Sequence, residues 1–356
     1  MNFASDNITG AAPEILDAIQ AGNDGALLPY GNDDVTRAAE AKVAQVFETA
    51  AEVFFVATGT AANALAISAT TPPWGVIFCH AGAHINDTEA AAPEFFSGGA
   101  KLIAIDGDDG KITAVVLEAA IAGAQVGNVH PPQPAAVSIT QATEAGTLYG
   151  LDEVAAISAV CREHDLKLHM DGARFANAVA GLGCSAAEAS WKAGVDVLCF
   201  GATKNGALTA EAVVLFDKDL ARDFGYRRKR GGHLFSKMRF LAVQWDAYVT
   251  GDLWLRNAAH ANAMATRMAD GLAAIDGVEL TRPVEANIVF PRLTAAIIEG
   301  LEADGFQFYE RGGENVVRLV CAFATTAAEV DRFIDAFELF ERNQGRGNTV
   351  VSFTTE

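Results

Sequence analysis

The chain has 356 residues, 51% of them hydrophobic and 20% charged, which excludes a disordered protein and leaves length for about two domains. Its 45 acidic against 26 basic residues give a formal net charge of -19, so nucleic acid is not an expected partner. No charge-free apolar run reaches ~18 residues, no basic and apolar leader opens the sequence, and five scattered cysteines contain no CxxC; a cytoplasmic setting without membrane spans, disulfides or zinc is expected.

Along the chain, Val35, Ala38, Ala39, Val43, Val46 and Phe47 recur at helical spacing, and the strand-length run Val53–Val56 follows. That run breaks at Thr58-Gly59-Thr60, and a helical stretch begins near Ala61. Further short apolar runs are 76–78, 102–105, 136–139, 166–170 and 195–200, with helical patterns such as Leu151, Val154, Ile157, Val160 and Cys161 between several of them. This alternation predicts an α/β domain with a mainly parallel sheet. After about residue 250 the pattern changes. A long helix carrying Leu255, Met264, Met268 and Leu272 precedes a strand at 287–290, a helix near 294–303, a strand at 316–320 and a last helix. Thr326 and Glu329 form a capping-box pattern for that helix. The expected organisation is an arm and large domain over 1–250, a smaller α+β domain over 251–341 and a flexible tail over 342–356.

Lys204 ends an apolar strand among small neighbours, in Gly201-Ala202-Thr203-Lys204-Asn205-Gly206. It reads either as a solvated turn lysine or as a Schiff-base nucleophile at the sheet edge, where α/β folds place ligands. Asp171, in His169-Met170-Asp171-Gly172-Ala173-Arg174, ends another strand. It reads as a helix cap, or as the carboxylate that pairs with the ring nitrogen of pyridoxal 5′-phosphate and makes that ring an electron sink. The Thr58-Gly59-Thr60 turn before a helix suits a phosphate dianion, although such turns are common. His80 and His84 are spaced for a metal on one helical face, but Gly82 and the lack of a third ligand argue against one, and no metal is expected. His84 otherwise reads as a loop histidine or as a ring stacked on the cofactor.

Phosphate turn, ring-stacking His, strand-end Asp and strand-end Lys follow the chain order of a fold-type-I pyridoxal-phosphate enzyme. The sequence resembles the L-threonine aldolases of the β-eliminating lyase/threonine aldolase superfamily at Phe3-Ala4-Ser5-Asp6-Asn7, Tyr30-Gly31-Asn32-Asp33, Thr58–Asn63, His84, His169–Arg174, Thr203-Lys204-Asn205 and Val317–Val320. The resemblance implies that Lys204 carries the cofactor, Asp171 pairs with its ring nitrogen, His84 stacks on it, and Gly59 and Thr60 hold its phosphate. It also implies that Ser5, Arg174 and Arg318 gather around the substrate carboxylate, with Arg174 also at the cofactor's phenolic oxygen. Tyr30 is implied to enter a neighbouring subunit's site. A basic residue from Arg227–Arg230, taken as Arg230, is implied to reach the phosphate across the dimer interface of a homotetramer. Some relatives carry a histidine where this chain has Glu144. The group that accepts the β-hydroxyl proton is therefore open between Glu144, His84 and a water. The implied activity is reversible cleavage of L-threonine or L-allo-threonine, and of other β-hydroxy-α-amino acids, to glycine and an aldehyde. Another pyridoxal-phosphate reaction, such as β-elimination, transamination or racemisation, is the alternative.

Overall fold

The computed structural model describes residues 1–311 and 313–345. The six apolar runs become strands β1 (Glu52–Val56), β2 (Gly75–His80), β3 (Lys101–Ile105), β4 (Gln133–Thr140), β5 (Lys167–Gly172) and β6 (Val197–Gly201), and a seventh strand that the sequence reading did not name, β7 (Glu211–Leu215), joins them. They form one seven-stranded sheet in the order β1-β7-β6-β5-β4-β2-β3. Strands β6, β5, β4, β2 and β3 pair in parallel, and β7 runs against both of its neighbours. The central strands β6 and β7 are buried at every position. Helices cover both faces there, so the strands read as unbroken apolar runs and not as alternations.

Helices α1 (Pro13–Ala21), α2 (Asp34–Val46), α3 (Gly59–Thr70), α4 (His84–Asp87), α5 (Ala92–Ser97) and α6 (Ala114–Ala122) lie along the first half of the chain. They are followed by α7 (Leu151–Glu163), α8 (Phe175–Leu182), α9 (Lys218–Ala221), α10 (Phe224–Arg230) and α11 (Arg239–Val249). Helix α3 is buried at most positions because it packs under the sheet, whereas α2 buries only Thr36, Ala39 and Val43. The main core gathers Phe47, Phe55, Phe175, Phe200 and Trp245, with Phe200 and Trp254 meeting edge to face at 5.5 Å.

Gly251 and Asp252 both take positive φ, 56° and 55°, and redirect the chain into α12 (Leu253–Ala273). The first turns of α12 still pack into the main core through Leu253, Trp254 and Ala258; from Ala265 onward the helix belongs to a second one. That smaller domain holds β8 (Glu279–Leu280), β9 (Ile288–Val289), β10 (Pro291–Arg292), α13 (Ala295–Ala303), β11 (Tyr309–Glu310), β12 (Val317–Val320) and α14 (Ala327–Gly345). The capping box opens α14: the Glu329 N–H donates to Thr326 Oγ1 at 3.2 Å and the Thr326 N–H to Glu329 Oε2 at 2.8 Å. Helix α14 continues to Gly345, and the rest of the segment read as a tail lies outside the described residues.

The amino-terminal arm packs differently from its sequence placement. Phe3 sits in the second core against Phe333 (5.4 Å between centroids), and its backbone bonds Gln307 and Val320. The arm then crosses to the large domain, where Asp6 meets Arg174.

Candidate active site

The carboxyl ends of β5 and β6 are drawn together by two glycines. A Cβ on Gly201 would lie 2.7 Å from the Ala173 carbonyl oxygen, and one on Gly172 would lie 2.6 Å from that of Cys199. Only hydrogen side chains permit this approach, and it brings Asp171 and Lys204 to one cavity of about 330 Å³. Asn7, Thr58, Gly59, Thr60, His84 and Glu144 also line it, as do Ala173 and Glu211. Lys204 follows β6 in a single 3-10 turn, Thr203–Asn205.

Asp171 is buried and does not cap α8, whose N-cap is Arg174. Its Oδ1 accepts from the Ala173 N–H at 3.0 Å and its Oδ2 from Asn63 Nδ2 at 2.9 Å. Asn63 spends its other amide hydrogen on Glu89 Oε1 at 2.8 Å, and His84 Nδ1 is hydrogen-bonded to the same oxygen at 2.7 Å. Burial pushes the Glu89 carboxyl up, while the hydrogen bond to Glu89 raises His84. Below Asp171, His169 is fully buried between Ser138 Oγ at 2.8 Å and Cys199 Sγ at 3.2 Å, and burial lowers its pKa to about 4.

Thr58 caps α3, its hydroxyl accepting from the Ala61 N–H at 3.1 Å. The N–H groups of Gly59 and Thr60 begin the helix and so have no intrahelical acceptor. A Cβ on Gly59 would meet nothing within 4 Å, so the helix end is open to a ligand. The helix dipole makes that opening suited to an anion.

Arg174 forms a buried bidentate pair with Asp6, at 2.6 Å and 3.0 Å. Burial opposes the Asp6 charge, but Arg174 and then Lys204 outweigh it and hold the carboxyl below its ordinary value. Arg318 is also buried and donates to the Ala4 carbonyl at 3.1 Å, while its Nε has no partner among the described residues. Burial and the nearby Arg174 charge push Arg318 below the usual guanidinium value. Ser5 lies between these contacts and caps the Asp6–Ile8 turn. Glu144 lines both this cavity and a neighbouring one of about 340 Å³ walled by His80, Arg282 and Arg311.

Tyr30 and Arg230 are not brought into this cavity within one chain. Tyr30 is 44% exposed with the Lys229 amine 4.8 Å from its ring, and Arg230 lines a separate hollow with Arg227 and Phe95. The basic run is only partly a solvated face, since Arg228 is buried over the Phe54 ring at 5.2 Å. Glu89, Asn63, Asp6 and Glu211 are site residues that pattern reading passed over.

The cavity fits pyridoxal 5′-phosphate on the structure's own terms: a buried carboxyl group held by two donors, a lysine amine and an open helix end share a space of suitable size. Asn63, which lines the cavity, keeps its Oδ1 buried without a partner among the described residues.

The beta-eliminating lyase family matches residues 2–296. The chain is 48% identical over 328 residues to the low specificity L-threonine aldolase of Pseudomonas aeruginosa, covering 92% of this chain and 94% of that protein. It is 46% identical to that of a Pseudomonas species, with the same coverage. The solved threonine aldolase of Leishmania major superposes with a TM-score of 0.88 at 30% identity, over 96% of this chain and 98% of that one. Fold, cavity and matched length agree, and this chain belongs to the beta-eliminating lyase family.

Proposed function

We infer that this chain is a pyridoxal 5′-phosphate-dependent aldehyde-lyase that cleaves L-threonine, L-allo-threonine and related β-hydroxy-α-amino acids reversibly to glycine and an aldehyde. The observation that carries this reading is the convergence of Lys204, Asp171, His84 and the α3 amino terminus on one cavity, in a chain 48% identical to a threonine aldolase. Bound there, pyridoxal 5′-phosphate supplies the electron sink for the pair released when the Cα–Cβ bond breaks.

Lys204 supplies the amine to which the cofactor attaches. Asp171, held by Asn63 and Ala173, pairs with its ring nitrogen, and the Gly59 and Thr60 N–H groups hold its phosphate. Arg318 has unspent donors beside Arg174, which supports their joint hold on the substrate carboxylate with Ser5. Asp6 keeps Arg174 in place. Glu144 and His84 both border the space a β-hydroxyl would occupy, and either can accept its proton. The Tyr30 and Arg230 surfaces, close to the basic run but away from this chain's own cavity, support a homotetramer built as a dimer of dimers, with each site completed by a neighbour. Among the described residues no helix is long and apolar enough to cross a membrane. That observation and the scattered free cysteines support a cytoplasmic setting.

The test is the visible spectrum of the protein loaded with pyridoxal phosphate, followed by an assay of products from L-threonine. Acetaldehyde and glycine in equal amounts are expected. Ammonia and a keto acid in their place would assign β-elimination or another reaction on the same frame.

A further inference from the structure

Glu89 lies outside the cavity, in the loop between α4 and α5, yet it is tied to two residues that line it. Its side chain is 0% exposed. Oε1 accepts from Asn63 Nδ2 at 2.8 Å and is hydrogen-bonded to His84 Nδ1 at 2.7 Å, and the same Asn63 nitrogen donates to Asp171 at 2.9 Å. His84, Glu89 and Asp171 offer ring and carboxylate atoms within 4.8 Å of one another. With both hydrogens of Asn63 spent on carboxylates, the amide cannot flip, and Oε1 is held as an acceptor. An ionised carboxylate has no hydrogen to offer, so with Glu89 charged the bond to His84 places the ring proton on Nδ1.

We propose that Glu89 is the positioning residue of this site, orienting His84 so that Nε2 is the nitrogen left to receive the β-hydroxyl proton of the substrate. This rests on the aldolase reading above and decides between the two candidate bases in favour of His84. In the step, the hydroxyl proton moves to Nε2 and the O–H electron pair becomes the second carbon–oxygen bond of the aldehyde. The Cα–Cβ pair stays with the glycine fragment, which takes up one proton at Cα as His84 gives one up, so none is gained or lost overall. Glu144 lines two open cavities and has no comparable partner to orient it among the described residues.

The charged groups around His84 come from several elements. Glu89 lies in the loop after α4, Asp171 on β5 and Glu144 after β4, and all three favour the imidazolium. Asp87, on α4 itself, is paired with Arg311 at 2.9 Å. Glu89 makes the largest contribution, and Glu89→Gln removes its charge while keeping its shape.

The experiment follows the holoenzyme by NMR with ring-13C-labelled histidine. The His84 signals are identified among seven histidines by their loss in His84→Phe. The wild type should show the Nδ1-protonated form, and Glu89→Gln should lower the His84 titration midpoint by about one pH unit. The low-pH limb of kcat for threonine cleavage should move with it, with KM within about twofold. Should the Gln variant not accumulate, Glu89→Asp withdraws the carboxylate by one carbon and should shift the midpoint the same way. A midpoint that stays put, or one that moves without the kcat limb, would overturn the assignment. A wild type that binds the cofactor but releases no aldehyde would instead overturn the aldolase reading, a result visible before any variant is made.

Discussion

The Asp171 carboxylate takes a backbone N–H and an amide N–H, and no ion pair neutralises it among the described residues. Asp171→Asn should therefore still retain pyridoxal phosphate but lose about 10²-fold or more in kcat, since a neutral amide cannot hold a ring nitrogen protonated. Unchanged turnover with an unchanged visible band would mean that the residue only shapes the β5 end. Glu211, buried at the start of β7 beside Lys204, carries the opposite electrostatic logic. Burial pushes its carboxyl up to about 7, against relief from Thr203 and Lys204. The unfolded chain gives up that proton near 4.5, so between pH 4.5 and 7 the folded state holds a proton that the unfolded state has lost. This group's contribution to stability thus falls as pH rises through that window. Glu211→Gln should shrink the loss between pH 5 and pH 8 by about 1–3 kcal/mol, read as urea midpoints at the two values. An equal loss in both proteins would place the titrating group elsewhere.

At the scale of elements, α3 depends on its first residue's neighbour. Thr58→Ala removes the hydroxyl that accepts the Ala61 N–H and should cost about 1 kcal/mol in denaturant stability. It should also speed loss of pyridoxal phosphate on dialysis, because Thr58 lines the cavity; full retention would separate the cap from the anion site. The strands were legible in the sequence because both faces of the sheet are covered, so runs such as 53–56 and 197–200 carry no interrupting polar residue. Lys204 and Asp171 were legible for a related reason, as polar residues terminating such runs. Glu89 and Asn63 were not. Asn63 sits in an Ala-rich helix and Glu89 in a short loop, and only tertiary folding joins them, across 26 positions, and to Asp171 across 108. Asp6 and Arg174 are 168 apart, beyond any periodic signal. The basic run misled in the other direction: four charged residues suggest solvent, but one turn of α10 turns Arg228 inward onto Phe54.

At the scale of the whole molecule, Tyr30 and Arg230 stand away from their own chain's cavity, and the proposed assembly gives them one to complete. Activity per chain should then fall on dilution in step with dissociation, measured by light scattering and rate at matched concentrations. A monomer with full activity would refute the shared site. The arm adds a constraint of timing. Phe3 bonds Gln307 and Val320, and Asp6 takes a further contact from Asn287 at 3.2 Å. On a ribosome these first residues emerge long before their partners, which follow by some 300 codons at about 5–20 residues per second. For those tens of seconds Phe3 has no groove to lie in, although Arg174 follows Asp6 by only 168 residues and can meet it earlier. The large domain can assemble its sheet as it is made, but the arm that bridges the two cores is fixed only after residues 287–320 have followed.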